Sequence, residues 1–374
     1  MSKMSSERLE FDYVIHPGEM LDDVLVARGI SRAELARRCG LPEDDIDEII
    51  DRRASVTPDV AAGLDRELGV PAEVWNRLDV RYRTHKEAWA SRFPLAALAN
   101  RGYLPKRQTS AERADALLDF FDLGSVEDWE DEFSGVAVRW DKSPAFESSF
   151  ESVTAWLRMG EMEAKDISTE PYVEDSFRQA IGDIRKMTVE DPEVFVARMR
   201  ELCHESGVGL VFVPELPKTH LSGAARWLPS DKALIMLSLR HKRADHFWFS
   251  FFHEAAHILL HRSGVKTIID DSREGQSQAS LNPAELEADR FASDFLIPRR
   301  EYERFTKGRE RYSKQAVVEF ATNINVAPGI VVGRLQRDGK IPYSHLNPLR
   351  RSLCLTEHGG QRRGVAETRR LSTA

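Results

Sequence analysis

The chain has 374 residues and a formal charge of −8, with 41% hydrophobic and 30% charged residues. That length exceeds what one hydrophobic core usually organises, and the composition excludes a collagen-like or wholly disordered chain. No apolar run approaches the ~18 residues of a membrane span, the opening MSKMSSERLE has no secretory apolar stretch, and Cys39, Cys203 and Cys354 are too scattered for a disulfide framework or cysteine metal site, so a cytoplasmic protein is expected.

Residues 17–81 read as short helices with clear punctuation. Pro17 opens the first and Gly29 ends it; Ser31 and Glu34 have the spacing of a capping box, and Gly40 stops that second helix. Pro42 starts a third, with Ile46, Ile49 and Ile50 inward. Thr57-Pro58 starts a fourth that ends near Gly69, and Pro71 a fifth. Two short helices joined at Gly40 have helix-turn-helix spacing. Helical periodicity continues at 111–121, 146–159, 175–186 and 192–205. From Gly207 the pattern changes to three short strands, 208–213, 223–228 and 233–238. Residues 247–261 are apolar on every side, as in a buried helix. A polar stretch at 262–281 precedes helices from Pro283, at 313–322 and at 330–335. Residues 357–374 are polar and rich in Gly and Arg, as in a disordered tail. The fold class expected is α+β and mainly helical. Its parts are an all-α helix-turn-helix domain (1–84), a helical connecting region (85–200), a domain with a small sheet (201–350) and a tail (351–374).

Residues 253–257 read His-Glu-Ala-Ala-His. On a helix, positions i and i+4 project the same way, so His253 and His257 can share one zinc ion. Glu254 is placed to take a proton from water activated by that ion. Two histidines and a glutamate in an apolar helix would be costly without such partners. A third ligand should come from the segment NPAELEAD. Glu285 shares a face with Asp289, Ala292 and Leu296, an inward stripe; Glu287 shares one with Arg290 and Asp294. Glu285 is therefore favoured over Glu287, and Asp289 could orient a ligating histidine through its far nitrogen. The competing reading of Glu285 is a capping box with Asn282. His261 lies ~12 Å along the axis from His253, too far to share its ion, and reads as a helix-end residue favoured by the dipole. His246 could stabilise an oxyanion, but capping of the helix is favoured. Trp227 and the phenylalanines around Trp248 read as core.

HEAAHILLH at 253–261, E-x-x-A-D at 285–289 and FASDFLIP at 291–298 resemble the ImmA/IrrE family of zinc metallopeptidases. The segments HPGEMLDDVLVARGISRAELARRCGLPEDDIDEIID and VTPDVAAGLDRELGVPAEVWNRLDVRY resemble HigA-type antitoxins of the XRE helix-turn-helix class. The resemblance implies a zincin-like domain holding one Zn²⁺ on His253, His257 and Glu285, with Glu254 as catalytic acid/base. It also implies a protein substrate, such as a helix-turn-helix repressor or a toxin–antitoxin partner, cut in a stress or mobile-element response.

One departure matters. Residues 1–80 hold ten Lys and Arg against eighteen Asp and Glu, which accounts for the whole imbalance of −8. The helix that should read the major groove begins Pro42-Glu-Asp-Asp-Ile-Asp-Glu, and only Arg32, Arg37, Arg38, Arg52 and Arg53 oppose its carboxylates. Phosphate contacts need cations, so the acidic helix favours a protein partner over DNA. Arg32, Arg52 and Arg53 remain the candidate DNA contacts, helped if a homodimer forms through this domain. The reading is thus a cytoplasmic regulatory zinc metallopeptidase. Its rivals are a DNA-binding transcriptional regulator or antitoxin whose zinc domain is a sensor, and an adaptor whose acidic N-terminus binds a basic partner.

Overall fold

A computed structural model describes residues 14–140, 149–228, 232–238, 243–261, 267–270 and 283–353. The chain divides into two compact units, 1–135 and 136–374. No single helix among the described residues is long and apolar enough to cross a membrane.

The first unit is helical: α1 (Pro17–Arg28), α2 (Arg32–Cys39), α3 (Glu43–Ile50), α4 (Pro58–Leu68), α5 (Ala72–Ser91), α6 (Leu95–Asn100), α7 (Ser110–Phe121) and the first ten residues of α8 (Val126–Trp140), which runs past the boundary at 135. The punctuation acts as expected. The Ser31 and Thr57 hydroxyls accept from the N–H groups of Glu34 and Val60. Gly40, at φ 70°, makes the left-handed turn between α2 and α3 that a side chain would disfavour. The Glu34 carboxylate, expected to complete a capping box, instead meets Arg37 and Arg38. Leu21, Leu35, Ile46, Leu64 and Trp75 form the centre of a core closed by α1 to α5. Helices α6 and α8 are additions to the expected list. α8 brings Trp129 and Phe133 to Trp89, Phe93 and Phe121, which pack edge to face.

The second unit contains α9 (Phe150–Ala164), α10 (Glu174–Lys186), α11 (Pro192–Glu205), β1 (Val208–Val213), β2 (Gly223–Leu228), β3 (Lys232–Ser238), α12 (Ala244–Leu260), β4 (Thr267–Asp270), α13 (Pro283–Leu296), α14 (Arg299–Thr306), α15 (Lys314–Asn323) and α16 (Pro328–Arg337). The three expected strands form, and β4, within the stretch expected to be merely polar, makes a fourth. The sheet order is β1-β3-β2-β4. β1 runs parallel to β3, whereas β2 is antiparallel to both β3 and β4. Helix α12 starts three residues earlier than expected and packs on β2 and β3, with α13 and α16 also against it. Phe251, Phe252 and Ala255 are fully buried in this core.

The first turn of α12 is fastened by the C-terminal segment. Arg350 donates from Nε to Asp245 Oδ2 at 2.8 Å and from Nη1 to Gln336 Oε1 at 2.8 Å. Gln336 in turn donates to the carbonyls of Tyr343 and His345. Arg243 bridges to Ser352, so the first residues of the expected tail pair with the domain; 354–374 lie outside the described residues.

The Arg350 and Asp245 side chains are only 7% and 5% exposed. Removing one partner of a buried pair typically costs ~3–5 kcal/mol, because the other charge is left without compensation. Arg350→Met should therefore destabilise the second unit by about that amount in urea denaturation. Adding Asp245→Leu should recover part of the loss, since no charge is then stranded.

Candidate metal centre

Helix α12 is apolar because it is enclosed by the sheet on one side and helices on the other. Within it His253 and His257 are each 1% exposed and Glu254 is fully buried. Helix α13 places Glu285 opposite them. His253 Nε2 lies 3.0 Å from His257 Nε2 and 3.1 Å from Glu285 Oε2, and His257 Nε2 lies 3.6 Å from the same oxygen. Among the described residues these three form the group of donors close enough to hold one metal ion. In a tetrahedral zinc site with bonds of ~2.0–2.1 Å, ligand atoms stand ~3.3 Å apart. The observed spacings bracket that value, so the donor set fits zinc in both chemistry and size.

The electrostatics point the same way. Burial opposes ionisation of Glu285, but hydrogen bonds and charge interaction with His253 and His257 outweigh it and hold the carboxyl at about 2. Burial lowers the pKa of His257, an effect only partly offset by Glu285. An ionised carboxylate beside a neutral imidazole is the state a cation requires.

The far nitrogens are also engaged. His253 Nδ1 lies 3.0 Å from Asp289 Oδ1, and the other oxygen of Asp289 meets Arg337. The Arg337 guanidinium stacks over Phe249, 4.3 Å from the ring centroid. His257 Nδ1 lies 3.0 Å from His261 Nδ1, and His261 Nε2 lies 3.1 Å from Glu287 Oε2. Glu287 is exposed, as its helical face implied, yet it reaches the histidine at the helix end. Asn282, the alternative partner for Glu285, lies outside the described residues. His246 does not cap α12, whose first residues have no side-chain cap; its Nε2 meets Arg350 Nη2 at 2.7 Å. A cleft of about 600 Å³ lined by Arg185, Glu301, Arg304 and Phe305 includes none of the proposed ligands.

The candidate DNA contacts in the first unit are already paired. Arg32 bonds Asp47 at 3.1 Å and Asp22 at 3.3 Å, Arg52 bonds Glu19 at 3.3 Å, and Arg53 bonds Asp51 at 2.7 Å.

Sequence reasoning passed over Gly223. At the start of β2, a Cβ there would lie 2.6 Å from Glu254 Oε1 and 2.8 Å from its Cγ. Only glycine lets the strand approach the buried carboxylate so closely. Gly223→Ala should cost ~1–3 kcal/mol, as overpacking usually does. Combined with Glu254→Ala the clash has no second partner, so a double-mutant cycle in thermal or urea unfolding should show strong coupling. Additive losses would place the carboxylate elsewhere.

Residues 210–336 match the model of the Peptidase_M78 family, described as the IrrE N-terminal-like domain. No curated protein matches significantly. Among solved structures, one from Nostoc punctiforme, described as an antidote protein of a plasmid maintenance system, is 31% identical; the match covers 21% of this chain and 91% of that one, with a TM-score of 0.19. An addiction module antidote protein of a HigA family from Coxiella burnetii is 25% identical, over 25% of this chain and 97% of that one, with a TM-score of 0.20. With its His-His-Glu cluster inside the matched span, the second unit carries an IrrE N-terminal-like domain of the Peptidase_M78 family.

Proposed function

We propose that the chain is a zinc-dependent metalloendopeptidase that cuts a protein partner of the repressor or antitoxin type. The observation that carries this reading is the meeting of His253, His257 and Glu285 beside a fully buried Glu254. A purely structural zinc site has no use for a carboxylate buried to that depth beside its ligands.

In this reading His253 and His257 bind through Nε2 and Glu285 through Oε2, and Asp289 fixes the ring of His253 by accepting from Nδ1. Zinc bound there supplies Lewis acidity, polarising a peptide carbonyl and acidifying water. Glu254 accepts a proton as the water oxygen bonds to the carbonyl carbon, then delivers it to the amine nitrogen as the C–N bond breaks. Gly223 leaves the space that the Glu254 side chain fills.

The first unit serves in this reading as the element that docks a partner. The ion pairs that hold Arg32, Arg52 and Arg53 leave those cations little to offer phosphates, which favours a protein over DNA. The alternative is a DNA-binding regulator whose zinc domain senses; its support is the run of short helices α1 to α5 around Gly40.

Purified full-length protein should contain about one zinc per chain by elemental analysis. His257→Ala should lose most of it, and Glu285→Gln should weaken it. Glu254→Gln should keep the metal while cleavage of a co-purified partner falls by ~100-fold or more. A wild type free of zinc after metal-sufficient expression ends the enzyme reading.

The full chain should bind random duplex DNA more weakly than the ~10⁻⁴–10⁻⁶ M usual for non-specific binding. Replacing Asp44 and Asp45 by Asn should strengthen that binding at low salt. Tight wild-type binding that the double change leaves untouched would restore the DNA reading.

A further inference from the structure

We propose that His261 and Glu287 form a positioning relay for His257, so that each histidine of the proposed zinc site is oriented by its own carboxylate. Asp289 serves His253 directly, and Glu287 serves His257 through the His261 ring. The inference rests on the zinc reading above and adds two residues to it.

His261 stands one helical turn beyond His257, and at the end of α12 its backbone departs from helical geometry, with φ −122° and ψ 31°. The i, i+4 spacing carries its ring to the far side of His257 from the metal ligands, Nδ1 to Nδ1 at 3.0 Å. Its other nitrogen lies 3.1 Å from Glu287 Oε2. The His261 side chain is 14% exposed and Glu287 61% exposed, so the relay leads from the buried site to the surface.

The proton arrangement follows from valence. To bind a cation, His257 must keep the lone pair on Nε2, so its hydrogen sits on Nδ1 and is donated to His261 Nδ1. His261 then carries its own hydrogen on Nε2 and donates it to the Glu287 carboxylate. The opposite tautomer of His261 would set two N–H groups against each other. Glu287 thus selects the tautomer of His261, and His261 selects the metal-binding tautomer of His257. The outer end is solvated, so the carboxylate contributes less than the buried ring.

The test is the zinc dissociation constant and dissociation rate of the full-length protein, measured by competition with a chromogenic chelator. Apo-protein melting temperatures confirm that each variant folds. His261→Leu should weaken zinc by ~10–100-fold, as loss of a ligand's hydrogen-bond partner usually does. His261→Gln, whose amide oxygen can accept from His257 Nδ1–H, should recover most of that loss. At exposed Glu287, where misfolding is not a concern, Leu should weaken zinc by ~2–5-fold and Gln, still an acceptor, by less. The relay is overturned if wild type holds zinc and His261→Leu holds it equally well, or if Gln is no better than Leu at position 261. A wild type that binds no zinc removes the metal reading itself, and the relay with it.

Discussion

Helix α12 carries two imidazoles and a carboxylate through the centre of an apolar core, and α13 offsets the cost of the imidazoles. Each of these groups would destabilise the fold if buried without a partner. Helix α13 answers with Glu285, Glu287 and Asp289, each reaching one or more of the histidines His253, His257 and His261. Three histidines at four-residue spacing face three carboxylates at two-residue spacing. The pairing fixes how the two helices meet and which ring nitrogens point inward. It leaves the three donor atoms gathered, with Glu254 close against Gly223.

A site of this kind needs its central helix held at both ends. At the C-terminal end His261 and Glu287 tie α12 to α13. At the N-terminal end the Asp245–Arg350–Gln336 network ties it to α16 and the segment that follows. Arg337, next to Gln336 in sequence, reaches Asp289 and stacks on Phe249. Helix α16 therefore supports both the first turn of α12 and the orientation of His253. A change in α16 should register at the candidate ligands His253, His257 and Glu285 although none of them lies on it, because the intervening groups are packed and paired.

What could be read from sequence follows from how local each signal is. The HEAAH spacing, the inward face of Glu285 and the caps at Ser31 and Thr57 depend on neighbours within a turn or two, and helical geometry alone places them. The strands at 208 and 233 are legible because short apolar runs bounded by polar residues leave few other options, and the one at 223 reads the same way despite Arg226. β4 is not legible, because four residues inside a polar stretch carry no periodicity; only pairing with β2 makes them a strand. His261 lies too far along the axis to share the ion of His253, and that distance hides its contact with His257. Glu287 looked solvated and is, yet exposure does not prevent a carboxylate from ending a relay. Arg350 and Gly223 depend on residues 105 and about 30 positions away, and no window of sequence reveals such pairs.

The same distinction between local and distant partners governs the first unit. Counting charges along 1–80 shows an acidic surplus, but not where the few cations spend themselves. The structure sets Arg32 against Asp47 of α3 and Asp22 of α1, and Arg52 against Glu19 of α1. These partners come from helices that the turn at Gly40 brings together, so the pairing belongs to the fold and not to a passing arrangement of side chains. Each pair is partly exposed and contributes little to stability. Its larger consequence is for binding: a phosphate would have to displace a carboxylate already in place, and would bring no gain in net charge neutralisation. An acidic surface whose Arg32, Arg52 and Arg53 are already paired repels polyanions at long range while leaving exposed carboxylates on α3 for a cationic protein segment. Under the proposed function, recognition through this unit and cleavage in the other would both take a polypeptide.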